Sequence, residues 1–147
     1  MAKFIYKFEP IKNIKKVLEK KVQKDISLLE LEIAKTNQMI IDLEKEKKYH
    51  KEKLLQSKNL KAMDLRFHAY YEKHIEEKII SVKKIREQFE KKKKEKLLEL
   101  VQRSKETKIF EKLEEKHKIS FDKEQNRLEQ IEIDDIATKK FIRGDAL

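Results

Sequence analysis

From Val22 onward, side chains that suit a helical seam recur in alternating steps of four and three: Val22, Ile26, Leu29, Ile33, Thr36, Ile40, Leu43, Lys47, His50 and Leu54. That spacing keeps a narrow stripe on one face of an α-helix, and so narrow a stripe fits a partner helix rather than a globular core. No Gly or Pro stands between Pro10 and Gly144 to break a helix. Upstream, Ile11, Ile14 and Leu18 extend the stripe, although the successive steps of four through Leu18, Val22 and Ile26 depart from heptad spacing and predict a local unwinding of any supercoil.

A second stripe runs through Phe67, Tyr71, Ile75, Lys78, Val82, Ile85 and Phe89, and resumes at Leu97, Val101, Phe110, Leu113, Phe121 and Leu128. Between the two stripes, Gln56-Ser57-Lys58-Asn59-Leu60-Lys61 lacks periodicity, and Asp64 has the chemistry to cap a new helix. A reversal here predicts an all-α fold, a long antiparallel two-helix coiled-coil hairpin with a longer second helix. Opposed positions then sum to roughly 122, which sets Ile40 against Val82 and Ile33 against Phe89. The first arm would reach roughly 70 Å and the second roughly 110 Å. About 25 residues at the C-terminal end would find no intramolecular partner in that register. The expected organisation is an extended N-terminal arm over 1–9, where Phe4, Tyr6 and Phe8 alternate with Ile5 and Lys7, a first helix over 10–57 and a turn over 58–63. A second helix over 64–143 and a tail over 144–147 complete it. An unbroken helix is the alternative that the missing Gly and Pro leave open.

Composition narrows the function. Of the 147 residues 45% are charged and 38% hydrophobic, too few apolar side chains for an enclosed core or an enzyme pocket. The chain is therefore read as a non-enzyme with no cofactor. The four histidines offer no i, i+4 pair for a metal: His50 and His117 fall in or near the seams, and His68 and His74 sit among aromatics. Without a Gly-rich phosphate loop, any nucleotide belongs to a partner. Cysteine is absent and no apolar run is long enough to span a bilayer, so a cytoplasmic protein is expected.

The net charge of +10 raises the question of nucleic acid. Met1–Lys24 carries eight Lys against Glu9 and Glu19, and Lys83–Lys96 holds eight basic residues against three Glu. The bases are nevertheless interleaved with acids, and few of them are arginines: Arg66, Arg86, Arg103, Arg127 and Arg143. That mix reads as the solvated face of a coiled coil, with no nucleic acid among the partners. Lys91-Lys92-Lys93-Lys94 predicts loose pairing near Leu29. The most aromatic patch, Phe67-His68-Ala69-Tyr70-Tyr71, adjoins the expected turn; Phe67 and Tyr71 would close the seam, while Tyr70 with Tyr49 would give an exposed aromatic tip of the kind that anchors protein interfaces.

Both ends of the sequence resemble the FliJ family of flagellar type III export proteins. The start Lys3-Phe4-x-Tyr6-x-Phe8-Glu9-x-Ile11-x-x-Ile14-x-x-x-Leu18 is similar to the family's aromatic opening. Phe110-Glu111-Lys112-Leu113-Glu114-Glu115-Lys116, Arg127-Leu128-Glu129-Gln130 and Asp134-Asp135-Ile136-Ala137 resemble its C-terminal stretch, with Asp135 in place of the family's usual Glu. The resemblance implies an antiparallel coiled coil, similar to the stalk of rotary ATPases, that inserts into the hexameric export ATPase, contacts the membrane-embedded export gate and recycles export chaperones. It also implies a protein held peripherally at the cytoplasmic face of the membrane through its partners. By this reading Phe4, Phe8, Ile14, Leu18, Arg127, Ile131, Asp134, Asp135 and Ile136 meet the ATPase, and Tyr49, Tyr70, Tyr71 and His74 meet the gate. The competing readings are the stalk of a virulence-type secretion ATPase and a generic structural coiled coil.

Overall fold

The computed structural model describes residues 2–144; of the expected tail over 144–147, only Gly144 is among them. Two helices account for nearly all of these residues, α1 from Glu9 to Gln56 and a longer α2 from Ala62 to Arg143, with no strand among the described residues. The fold is all-α, two helices joined by a short reversal.

Local chemistry sets the helix ends. Pro10 sits in the first turn of α1, where its missing N–H is no loss, and Glu9 places a negative charge at the same end. At the reversal, α2 begins before Asp64. Rather than capping from outside, Asp64 lies within the first turn and its carboxylate accepts the backbone N–H of Lys61 at 3.2 Å, while the Lys61 carbonyl accepts the N–H groups of Asp64 and Leu65. The carboxylate acts from the third turn position of a capping box, a geometry that satisfies an orphan donor from inside the helix. Gly144 closes α2 in the left-handed conformation, at φ 74°, its N–H donating to the Phe141 carbonyl.

The chain divides into two compact units, each of which has its own packing. In the unit spanning Lys20–Val101, α1 and α2 lie antiparallel and bury Val22, Ile26, Thr36, Ile40, Ile75, Ile79 and Val82. Ion pairs join Lys47 to Glu76 and Lys93 to Glu30, and Arg86 donates to the Asn37 side chain, all within a residue or two of the register in which Ile40 faces Val82. Every α1 position in the run from Val22 to Leu54 is buried or half-buried. On α2 the seam moves by one residue from the expected stripe. Ile79 is buried and Lys78 exposed, Arg86 is half-buried and Ile85 exposed, and Lys96 and Leu100 take the places expected for Leu97 and Val101. Steps of four and three counted from Ile75 lead to these residues whatever their polarity, because supercoiling fixes position on the helix and side chains must adapt to it. Within the basic run, Lys93 turns inward toward Glu30 while Lys91, Lys92 and Lys94 stay exposed.

The unit made of residues 1–19 and 102–147 continues the same spacing with different chemistry. Tyr6, Lys12 and Thr107 are buried, and Phe4, Phe8, Lys15, Phe110, Glu114 and His117 are half-buried. Ile11 and Ile14, expected in the stripe, are exposed. Counting back from Val22 by three and four reaches Glu19, Lys15, Lys12 and Phe8, so the heptad carries on through polar residues and leaves the two isoleucines beside the seam.

Ile75 is 2% exposed, the deepest side chain in the Lys20–Val101 unit, whereas Ile80 on the same helix is open to water. Ile75→Ala is expected to destabilise this unit by about 2–4 kcal/mol, and Ile80→Ala by less than about 0.5 kcal/mol, in chemical denaturation followed by circular dichroism.

Candidate functional site

In the terminal unit an aromatic cluster holds the N-terminal arm. Tyr6 donates its hydroxyl to the Phe110 carbonyl at 2.8 Å, and its ring meets Phe8 and His117 edge-on at 5.9 and 5.8 Å. Phe4 packs on Phe121 at 5.5 Å and Phe8 on Phe110 at 6.5 Å. Phe4, Tyr6 and Phe8 thus all meet α2, and the segment that carries them ends in a turn at Lys7 and Phe8, where the Glu9 N–H donates to the Tyr6 carbonyl. Desolvation, followed by the charge of Glu114, raises the Tyr6 pKa, so the hydroxyl stays protonated and able to donate.

Beneath the cluster, three cross-helix ion pairs tie α1 to α2: Lys12 to Glu114, Lys15 to Glu106 at 3.0 Å and Lys16 to Glu111 at 3.8 Å. Lys12, at 8% exposure, also reaches Glu9 and lies over the Tyr6 ring. Its hydrogen bond to Glu114 raises its pKa against the opposing effect of burial, which keeps it charged inside the seam. The hydrogen bond from Lys15 holds Glu106 below its ordinary value.

Past Gln125 every described residue of α2 is exposed. This stretch contains Leu128, Ile131, Ile133, Ile136, Phe141 and Ile142, an unusual amount of open apolar surface. Its charges are ordered along the helix: Arg127 forks onto Glu124, and Asp135 pairs with Lys139 at 2.8 Å. Gln130 donates to the Asp134 carboxylate, and Thr138 donates to the Asp134 carbonyl. Of the residues proposed for the ATPase, Phe4, Phe8 and Leu18 are half-buried, whereas Ile14, Arg127, Ile131, Asp134, Asp135 and Ile136 are exposed.

In the Lys20–Val101 unit, the reversal brings His50 and Tyr71 together at 4.2 Å between ring centres, and the Tyr71 hydroxyl donates to Glu46. That hydrogen bond raises the Tyr71 pKa. His50, Tyr71, Leu54, His68 and Ile75 line a small depression that closes the seam. Tyr71 is therefore part of the packing, while Tyr49, Tyr70 and His74 are exposed. Phe67, expected to close the seam, is exposed too and stacks on the outer side of Tyr71 at 6.4 Å. His68 takes its place one residue further on.

Sequence reasoning placed Tyr6 only in a periodic arm and missed Lys12 and Lys15 as interior residues. Strict heptad counting back from Val22 is the signal that finds both lysines. Ile14, Arg127, Ile131, Asp134, Asp135, Ile136, Tyr49, Tyr70 and His74 stand on exposed helix surfaces of an all-α two-helix protein, whereas Phe4, Phe8, Leu18 and Tyr71 are half-buried. The family model described as flagellar FliJ protein matches residues 4–146, and the chain belongs to the FliJ family. No curated protein and no solved structure gives a significant match to it.

A carboxylate with a lowered folded pKa contributes stability above its unfolded value and loses it as pH falls through the folded one. The stability gap between wild type and Lys15→Gln is accordingly expected to be present at neutral pH and to close as pH falls from about 5 to about 3, in thermal melts followed by circular dichroism.

Proposed function

We propose that this chain works in flagellar protein export as the stalk that binds the hexameric export ATPase and links it to the export gate and to export chaperones. Family membership supports the export setting. The stalk reading is carried by one observation: α2 continues past Gln125 as a helix with exposed Ile131 and Ile136, and among the described residues of its own unit nothing covers it. A chain with so little apolar material leaves these apolar side chains uncovered only at a cost in solubility, which contact with a partner relieves. In the same unit Phe4 packs on Phe121 and Phe8 on Phe110 of α2, Leu18 is half-buried, and Ile14, Arg127, Asp134 and Asp135 are exposed. None of the described helices is long and apolar enough to cross a membrane, so in this reading the gate is reached through the tip aromatics Tyr49 and Tyr70, with His74 beside them and Tyr71 holding the packing beneath.

Deletion of Asn126–Leu147 is expected to abolish binding to the ATPase and stimulation of its hydrolysis while the remaining residues keep their helicity; unchanged binding would remove the stalk reading. The double variant Tyr49→Ala/Tyr70→Ala should weaken affinity for the gate at least about tenfold with an unchanged melting temperature, as expected of aromatic anchors. Tyr71→Ala should lower the melting temperature first.

A further inference from the structure

The reversal in the Lys20–Val101 unit carries a second kind of surface that no protein partner is needed to explain. Leu55 at 76%, Met63 at 81%, Phe67 at 67% and Tyr70 at 75% are among its most exposed large apolar side chains, and all lie within three turns of the segment joining α1 to α2. Met63, Phe67 and Tyr70 follow one another at i, i+4 and i+7, so they share one face of α2.

Cations surround them. Lys48, Lys51, Lys53, Lys58, Lys61 and Arg66 occupy the same turns, and among the described residues none of the six makes an ion pair. The acids nearby are partly committed inward: Glu46 accepts the Tyr71 hydroxyl and Asp64 accepts the Lys61 backbone N–H. Glu52, Glu72 and Lys73 complete the charges of these turns, and the balance is strongly positive. Elsewhere in this unit lysines do find partners, as Lys47 does with Glu76, Lys93 with Glu30 and Lys96 with Asp25.

We propose that this tip docks directly on an anionic lipid surface, with Leu55, Met63, Phe67 and Tyr70 entering the headgroup region and the surrounding lysines and Arg66 meeting lipid phosphates. Apolar and aromatic side chains enclosed by flexible, unpaired lysines are the chemistry of interfacial membrane binding, in which shallow apolar insertion and attraction to anionic headgroups act together. Insertion is shallow: the two helices carry their charge to within a turn of the reversal, and the backbone of residues 57–61 makes few hydrogen bonds of its own and needs water or headgroups. The inference goes beyond the gate reading, because it requires no gate protein.

The test is flotation of the full chain with vesicles of phosphatidylcholine alone and of phosphatidylcholine with about one third phosphatidylglycerol. Binding is expected only to the anionic vesicles, falling at least about tenfold between about 0.1 and 0.5 M salt. Met63→Ser/Phe67→Ser/Tyr70→Ser and Lys51→Gln/Lys58→Gln/Lys61→Gln should each weaken it at least about tenfold, with helicity unchanged because these side chains are exposed. Lys91→Gln/Lys92→Gln/Lys94→Gln, equal in charge removed but distant in sequence, should leave most of it intact. Absence of binding to anionic vesicles overturns the proposal, as does full binding by the serine variant, which would mean charge adsorption alone. Loss with the distant lysines rather than the tip lysines also overturns it. A serine variant that loses the gate protein while wild type ignores vesicles assigns the tip to a protein partner instead.

Discussion

Neither helix has enough apolar surface to bury itself, so the whole chain depends on one shared stripe whose position is fixed by supercoil geometry rather than by hydrophobicity. Ile26, Ile40, Ile75, Ile79 and Val82 fill it in one unit, each worth about 1.5–3 kcal/mol when removed from water. The same spacing, carried into the other unit, delivers Lys12, Lys15 and Glu114 to the inside. A polar group there is tolerable only when partnered, and each of these has an opposite charge within reach across the seam. Thr36 and Thr107 meet the same demand by donating to carbonyls of their own helices.

The heptad alternation from Val22 to Leu54 made the first seam, the pairing and the register legible, because a period survives substitution of single residues. The second seam was read one residue out at Lys78 and Ile85 for an informative reason. Choosing the more apolar member of each neighbouring pair follows composition, whereas the helix obeys rotation, and rotation selects Ile79 and Arg86. The same preference drew Ile11 and Ile14 into the expected stripe. At the reversal, Asp64 was identifiable as a helix starter, but its place inside the turn was not, since a carboxylate serves either as cap or as third turn residue. Phe67 and His68 exchanged roles at the seam's end, where counting back from Ile75 by three and four reaches His68 and preference for the more apolar neighbour again chose the wrong residue.

The exposed apolar surfaces follow from what the stripe leaves over. With charges accepted inside one unit, isoleucines are released to its outside, and α2 beyond Gln125 adds a helix that its own unit does not cover. At the reversal the residues left over are aromatic, aliphatic and cationic. The FliJ family match gives the chain its biological setting, and the geometry explains why a chain with so modest a core still exposes large apolar side chains.

The ion pairs of Lys12, Lys15 and Lys16 also imply that the two units respond oppositely to their ionic surroundings. Salt screens charges at a partly exposed seam, so a high-salt medium loosens the grip of α1 on α2 in the terminal unit. The same medium leaves the Ile75 and Val82 packing intact, and strongly hydrated anions such as sulfate reinforce it. A rise in ionic strength therefore acts as a selective loosening agent, weakening the lysine–glutamate ties of the terminal unit while the isoleucine seam and the ring contacts of Phe4 and Phe8 hold.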